Sequence, residues 1–484
     1  MTSVFLGVDV GTTSTKCLAI TEDGELLALT HHSYALSHPR EGWAEQDAEE
    51  FVRAVSNVVK QCVTKCREKG CDASQIRALA MSTQGDTLIA TDKAGNPILP
   101  AMSWMDGRAV HEYQELLTET GASFWYKETG QPINPLSSVC KIRWIRKRYQ
   151  DMANSMRFSW VADFLARRLC GKFVADIPSA SWTPIYSPVR RSWSEPVQDL
   201  IGIDAEELPE TAESGTVIGD LLPDVSEDLG LHRGTILIAG AFDQAAAAHG
   251  AGASAGGRSV LSCGTAWVLY SVSDVVPIDK KEQLCVCCHV NPSEWGLVLP
   301  FVGGSAYDWL NRTLADVSHE VSENAEPLIF VPHLYGELSP GWHQESKGSL
   351  LGLTMAHTRE DIRLALMRGI AFETRRNLEA ALELGGRVNS IRMVGGAGRS
   401  EFWPQLVADI LNRPIEVSEF VDSACLGAAK LAAGNAATDW HDSHIARIYD
   451  PLLTNVSRED VLYKRYLAVH ERLLGFYEDK DLQN

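Results

Sequence analysis

The sequence predicts an α/β protein of two domains built on one duplicated plan, and three observations carry that expectation. The chain has 484 residues, too many for one ordinary core. Short apolar runs of strand character alternate with helical patterns, as in α/β domains. A segment near the start, Leu6-Gly7-Val8-Asp9-Val10-Gly11-Thr12-Thr13-Ser14-Thr15-Lys16, follows the order apolar run, Gly-Thr turn, apolar run. The segment Ser259-Val260-Leu261-Ser262-Cys263-Gly264-Thr265-Ala266-Trp267-Val268-Leu269 restates that order in the second half. The division drawn is 1–248, 249–440 and a helical tail over 441–484.

Composition narrows the class. With 45% hydrophobic and 22% charged residues, the chain has the make-up of a soluble globular protein. A formal net charge of -19 argues against a nucleic-acid footprint, which needs basic clusters, and against an anionic membrane surface. Any phosphate site must then be local. The opening Met-Thr-Ser-Val-Phe-Leu-Gly has no basic region, and Asp9 breaks its apolar run, so it does not read as a signal peptide. No apolar stretch reaches spanning length. Eleven cysteines, an odd count scattered through apolar segments, fit reduced thiols in a cytoplasmic protein. Cys285, Cys287, Cys288 and His289 form one dense group, where a metal site competes with a buried strand. The flanking Leu284, Val286 and Val290 favour the strand.

In chain order, Val4 to Val10 reads as a buried strand and Cys17 to Ile20 resumes it after a turn, which puts Asp9 at the strand's end. Gly11 lets a ligand approach the backbone, and Thr12, Thr13 and Ser14 offer amide and hydroxyl donors that suit phosphate oxygens. Asp9 would repel phosphate but can hold a hydrated magnesium ion that bridges to it. The alternative is an ordinary hairpin with a polar turn. A helix follows from about Ala48 to Lys69, with Asp47 and Glu50 as a capping-box-like start, a stripe of Phe51, Val55, Val59, Cys62, Val63 and Cys66, and Gly70 as its stop. Ile76 to Met81 and Leu88 to Thr91 read as strands. The polar clusters Ser82-Thr83-Gln84-Gly85-Asp86-Thr87 and Trp104-Met105-Asp106-Gly107-Arg108 follow apolar runs, the place where open α/β sheets bind ligands. Ser138 to Tyr149 and Trp160 to Leu169 read as helices. Phe173 to Trp193 reads as irregular, either part of a substrate wall or a surface excursion. Thr235 to Ala241 is a strand that delivers Asp243 and Gln244 ahead of an alanine run. Asp243 repeats the logic of Asp9, and a helix-capping role is open for it as well.

Gly250 to Gly257 looks like a hinge, and the second hairpin follows at once. Gly303-Gly304 precedes a helix around Trp309. Thr358 and Asp361 cap a long amphipathic helix that reaches about Leu384. Ile391 to Val394 is a strand running into Gly395-Gly396-Ala397-Gly398-Arg399-Ser400, where a flat group can lie on bare backbone; a tight turn explains it equally well. A helix ended by Pro414, a small-residue helix over Ala424 to Gly434 and a last helix over about Arg458 to Glu478 complete the chain. Neither the P-loop nor the dinucleotide Gly-x-Gly-x-x-Gly is present.

Taken in this order, Asp9-Val-Gly-Thr-Thr-Ser, Gly42-Trp-Ala-Glu-Gln-Asp, Trp104-Met-Asp-Gly-Arg, Gly240-Ala-Phe-Asp243-Gln, Ser262-Cys-Gly-Thr, Gly352-Leu-Thr, Gly395-Gly-Ala-Gly-Arg-Ser and Ala424-Cys-Leu-Gly-Ala-Ala resemble the FGGY family of carbohydrate kinases. That family lies in the actin, hexokinase and heat-shock-chaperone superfamily, and the resemblance runs from Val4 to about Gly434. It implies two duplicated actin-like (ribonuclease H-like) domains with a cleft between them. The first would carry the sugar site and one phosphate hairpin, the second the nucleotide. By the same resemblance ATP and Mg2+ serve the reaction, Asp243 is the general base and Asp9 orders the magnesium. Thr12, Thr13, Gly264 and Thr265 would hold phosphates, and Gly304, Gly396, Ala397 and Ser400 would line the nucleotide pocket. Gln84, Asp86, Trp104 and Gln244 match positions that touch a sugar or polyol. The partner implied is a small molecule, with no nucleic acid and no membrane, and a homodimer is left open.

The sugar is addressed by Gln84-Gly85-Asp86-Thr87, where xylulose kinases usually show Gln-Met-His-Gly and glycerol kinases Gln-Arg-Glu-Thr. A carboxylate there accepts hydrogen bonds from several hydroxyls and disfavours an acidic substrate, so a ketopentose such as D-xylulose, or a polyol of erythritol or glycerol type, is expected ahead of gluconate. Two readings outside the class fit the residues less well. A chaperone-type ATPase lacks use for the sugar-side motifs, and a silent sugar sensor is expected to lose Asp9 or Asp243, both of which are present.

Overall fold

The computed structural model describes residues 2–313, 326–418, 422–437, 440 and 445–478. The chain divides into two compact units: Met1–Ala251, Val275–Gly296 and Asp422–Ser443 form the first, and Gly252–Asp274, Leu297–Val421 and His444–Asn484 the second. One change of unit falls inside the Gly250–Gly257 passage. The units otherwise cross the linear division at 248 and 440, because packing rather than chain order assigns the segments. The Ser423–Ala433 helix lies with the first unit, since its small side chains let it come down onto the Val4–Val10 strand: a Cβ on Gly7 would sit 1.9 Å from the carbonyl oxygen of Cys425. The ends of the predicted tail, 441–444 and 479–484, lie outside the described residues.

The duplicated plan is present. In the first unit the sheet order is Val217–Asp220, Ile236–Phe242, Ile76–Thr83, Val4–Val10, Ser14–Thr21, Leu26–Ser33. In the second, Trp295–Val302, Ala266–Ser273, Arg258–Cys263, Ser390–Gly395, Ile415–Ser418 and Ile445–Tyr449 follow one another. Each unit thus opens with an antiparallel hairpin whose first strand pairs in parallel with a later strand, and that strand in parallel with a still later one. The first strands read as continuous apolar runs because parallel strands bury both faces. Val4, Leu6, Val8 and Val10 are buried with Phe51, Val55, Val59 and Cys62 of the Ala48–Glu68 helix in one core.

Several local expectations change. Asp47 caps its helix by accepting from the Glu49 amide, 3.0 Å, but Glu50 does not complete a box; it takes Arg53 Nε at 2.8 Å and His32 at 3.1 Å instead. Charged partners across the surface outcompeted the local amide. Trp160 ends a strand, Arg157–Trp160, and the helix begins at Val161. The stretch Phe173 to Trp193 is not irregular: it folds as a Val174–Asp176 strand, an Ile177–Ser181 helix and the short pair Tyr186–Ser187 and Ser192–Trp193, elements too brief to leave a periodic pattern. The Arg359–Glu383 helix carries the predicted Thr358/Asp361 capping box, yet it is enclosed rather than amphipathic, burying Arg368, Glu373 and Asn377 along with its apolar residues. The last helix begins earlier than expected, at Leu453.

Candidate active site

Strand register brings the first unit's carboxylates together. Asp9 lies opposite Ser82 on the neighbouring parallel strand, and Thr83 lies opposite Phe242 on the next. Asp9, Gln84 and Asp243 therefore emerge side by side at the C-terminal ends of three adjacent parallel strands, where an open α/β sheet exposes its polar edge. Asp243 is the first residue of the Asp243–Gly250 helix, not its cap; its Oδ1 accepts from the Gln244 amide at 2.7 Å, and the helix has no side-chain cap. The helix is seated on the small-residue helix, where a Cβ on Gly427 would lie 1.9 Å from the carbonyl oxygen of Ala246, and Lys430 Nζ donates to the Gly250 carbonyl at 2.7 Å. Close backbone packing below and a cation at the C-terminus thus hold Asp243 in place.

Electrostatics mark the same spot. Burial, and secondly the charge of Asp9, push the Asp243 carboxyl up to about 7. Asp9 is also raised, chiefly by burial, with Asp422 adding to the effect and the Ser82 hydroxyl and Lys16 opposing it. Ser82 Oγ donates to Asp9 Oδ1 at 2.7 Å, and Lys16 Nζ to Asp422 Oδ1 at 2.5 Å. Asp9 and Asp422 share the one ammonium of Lys16, and Asp243 adds a further carboxyl beside Asp9, an excess of negative charge that a divalent cation would relieve. They do not close into a three-ligand cage among the described residues. That suits magnesium, which usually keeps several waters and takes one or two carboxylates plus phosphate oxygens. A carboxyl poised near neutrality can accept a proton at physiological pH.

The first hairpin's turn is half-buried at Gly11, Thr12 and Ser14 and exposed at Thr13. It is tied down by side chains: Tyr34 OH donates to the Gly11 carbonyl at 2.6 Å, Gln46 Nε2 to the Thr12 carbonyl at 2.8 Å, and Trp104 Nε1 to Thr12 Oγ1 at 2.9 Å. Trp104 is 43% exposed, whereas Gln84 is buried and donates to Gln46 Oε1 at 3.2 Å while accepting from Thr87 at 3.2 Å. Gln244 is half-buried beside Asp243. Asp86 has a left-handed backbone, φ 55°, and already holds two donors, the Ser138 amide at 2.9 Å and Trp160 Nε1 at 3.4 Å. Its carboxyl is raised by burial against the pull of Lys141, whose own ammonium burial lowers to about 8. The Trp-x-Asp-Gly-Arg stretch is mostly a clamp. Asp106 accepts from the Ala44 amide at 2.7 Å, Arg108 pairs with Asp106 and Glu45, and Gly107 donates to the Gly42 carbonyl at 2.8 Å, so two separate sequence motifs fasten one another.

The second unit assembles the residues of the other hairpin. Gly304 starts the Gly304–Thr313 helix against the turn: a Cβ there would be 2.2 Å from the Gly264 carbonyl oxygen, and the Ser305 amide donates to the Thr265 carbonyl at 2.8 Å. Cys263 lies opposite Gly395 on the adjacent parallel strand, so Gly264 and Thr265 share a sheet edge with the Gly396–Arg399 turn and Ser400. The result is a cradle of bare backbone between a helix N-terminus and a hairpin, which fits a phosphate chain. Gly264, Thr265, Gly304, Gly396, Ala397 and Ser400 are thereby brought to one edge. Cys285 to Cys288 form a buried strand and, with His289, do not make a ligand set among the described residues.

Residues to which the sequence assigned no role include Gln46 and Lys16, both inside quoted motifs, and Asp422 and Lys141. Each of them acts on partners distant in the chain, from 34 residues for Gln46 and Thr12 to 406 for Lys16 and Asp422.

Comparison with known proteins decides the family. The N-terminal domain of the FGGY family of carbohydrate kinases matches residues 4–250 and its C-terminal domain residues 260–436. The chain belongs to the FGGY family of carbohydrate kinases. This FGGY kinase is 27% identical to a gluconokinase from Bacillus subtilis (strain 168) over 453 residues, covering 89% of this chain and 87% of the relative. It is 28% identical to a glycerol kinase from Thermococcus kodakarensis over 506 residues, covering 98% of each. Its fold matches the ligand-bound xylulose kinase of Lactobacillus acidophilus with a TM-score of 0.89 at 25% identity, covering 98% of this chain and 99% of that one. The architecture is the actin-like fold of these kinases. Similarity at this level does not choose among the three acceptors. Among the described residues, no helix is long and apolar enough to cross a membrane.

Proposed function

We propose that this FGGY kinase transfers the γ-phosphoryl group of ATP to a hydroxyl of a neutral ketose or polyol, with a ketopentose such as D-xylulose as the first acceptor to test. The observation that carries the reading is Asp243, its carboxyl pushed up to about 7, beside Asp9 at the ends of adjacent parallel strands. In this reading Asp243 takes the proton of the attacking hydroxyl as the new O–P bond forms and the bond to ADP breaks. Gln244, Trp104 and Asp86 orient the acceptor, with Gln84 acting through Gln46 to steady the hairpin. Thr12, Thr13, Gly264 and Thr265 hold phosphate oxygens, and Gly304, Gly396, Ala397 and Ser400 receive the nucleotide. Magnesium, held through water by Asp9, would offset charge on the transferring group. The acidity of the site, with Asp9, Asp86, Asp243 and Asp422, argues for neutral acceptors over gluconate.

An ADP-release assay over D-xylulose, D-ribulose, erythritol, glycerol and gluconate tests this. A neutral acceptor should stimulate release most, and release independent of any acceptor would overturn the reading. A second measurement addresses the metal. Asp9→Asn keeps the side chain's shape but removes charge, so turnover should fall steeply at ordinary magnesium and recover in part at high magnesium, with acceptor affinity little changed. Near-normal turnover at low magnesium would make Asp9 a turn residue only.

A further inference from the structure

We infer that Trp182 is a specificity-determining residue that walls the acceptor site and selects a neutral carbon chain over an acidic one. This rests on the kinase reading above and names its acceptor more narrowly. Trp182 lies just beyond the Ile177–Ser181 helix, in the stretch whose short elements escaped sequence patterning. Its ring stacks on Phe242, with centroids 4.8 Å apart and planes within 9°. Phe242 is fully buried and immediately precedes Asp243.

The same indole lies against Gly85, between Gln84 and Asp86. A Cβ at position 85 would be 2.3 Å from the indole Cδ1 and 2.7 Å from Nε1, so no side chain at 85 is compatible with this ring position. Gly85 therefore does not open a gap in the site; it admits Trp182 to that place. The indole touches the chain neighbours of both Asp86 and Asp243, the two carboxylates given to the acceptor.

The placement is rigid. Asp176 caps the short helix through the Ser179 amide at 2.7 Å and hydroxyl at 2.9 Å, Gln131 Nε2 donates to the Trp182 carbonyl at 3.1 Å, and Ser181 Oγ holds the Cys288 amide at 2.9 Å. Trp182 is half-buried while Phe242 behind it is sealed, and in this proposal the ring face turned away from Phe242 meets the acceptor. An indole face carries negative π density. It favours the C–H edge of a sugar or polyol and disfavours a carboxylate. With Asp86 and Asp243 supplying acceptors for hydroxyl groups on either flank, the wall suits a hydroxylated, uncharged chain.

Acceptor binding should be read apart from turnover, by ligand-induced thermal shift of the full chain with D-xylulose, D-ribulose, erythritol, glycerol and gluconate, alongside ADP release. In Trp182→Ala, affinity for the best neutral acceptor should fall roughly three- to tenfold, and its advantage over gluconate should narrow by a similar factor. The KM for ATP should not move. Trp182→Phe should restore most of the preference. Gly85→Ala, whose Cβ must displace the indole, should reproduce the Trp182→Ala ranking and guards against misfolding of that variant. An unchanged ranking in both Trp182→Ala and Gly85→Ala overturns the proposal, as does a wild-type protein bound by no neutral acceptor. Neutral acceptors that bind with the predicted ranking but release no ADP would leave Trp182's role standing and sink the kinase reading instead.

Discussion

Asp243→Asn should lower turnover by roughly 10²–10⁴-fold, the usual worth of a positioned general base, while raising the thermal stability of the protein without ligands. The two effects have one cause. In the folded chain the Asp243 carboxyl is pushed up to about 7 by burial and by Asp9, above the ordinary aspartate value of 3.8. The folded state thus binds this proton more tightly than the unfolded state. The sign follows: stability is greatest below the unfolded value, declines as pH rises between the two, and carries the full penalty above about 7. An amide removes that penalty, a gain on the order of 1–3 kcal/mol after allowance for partial solvent access. A helix-capping Asp243 predicts the reverse, a loss of about 1 kcal/mol with activity kept in the folded fraction. Thermal melts, acceptor binding and turnover on one preparation separate the two. In the wild type, kcat/KM for the acceptor should fall as pH drops through about 7, because the protonated carboxyl cannot act as base. A folded Asp243→Asn enzyme with substantial turnover would assign the base elsewhere.

Arg376→Met should destabilise the second unit by about 3–5 kcal/mol, because it strands two buried carboxylates. Arg376 lies 2.8 Å from Glu337 and 2.9 Å from Glu373. The last helix joins in through Tyr466, which donates to Glu373, and through His470, 3.2 Å from Glu337. His333 Nε2 faces Glu373 at 3.6 Å, and its Nδ1 is paired with Ser346 at 2.7 Å. His333, Glu337 and His470 are the one set among the described residues close enough to share an ion, but the Arg376 guanidinium already supplies the positive charge. Against the desolvation that burial imposes, the partners hold both carboxyls below the usual range: His470 and Arg376 act on Glu337, and Arg376 with His333 on Glu373. Their contribution to stability is therefore complete above the ordinary glutamate value of 4.5 and is lost as pH falls below it. Without Arg376 both carboxyls should move up, so the deficit of Arg376→Met should be largest at neutral pH and narrow toward acid. Denaturation midpoints at neutral and mildly acidic pH measure this; a pH-independent deficit would reduce Arg376 to a packing residue.

The parts of the site that were legible in the sequence are the parts made locally. Val4 to Ser14 and Leu261 to Ala266 announce a hairpin because β-branched residues, a glycine and threonines act on their own backbone, and the strand end that exposes Asp9 or Asp243 is likewise local. Gln46 gave no such sign. It is one polar residue in the two-residue strand Glu45–Gln46, and its importance comes from meeting Thr12 and Gln84, contacts with separations of 34 and 38 residues. The stretch around Trp182 reads as irregular in the sequence because elements of two to five residues are shorter than the window in which a period can be recognised. Glu337, Glu373 and His470 looked like ordinary polar positions on a loop and two helices, since nothing in their spacing reveals that they face one another.

The sequence by itself determined the family resemblance, the duplicated plan and the place of Asp9 and Asp243 at strand ends, because strand ends, turns and caps follow from side chains acting on their neighbours in the chain. Only the tertiary structure decided the electrostatic setting of those carboxylates. The raised carboxyls of Asp9 and Asp243, the Lys16 to Asp422 pair beside them and the indole filling the place left by Gly85 depend on distance and burial. Coulombic and desolvation energies are set by what lies within a few ångströms, and that is decided by which strands and helices pack together rather than by how far apart residues stand in the chain.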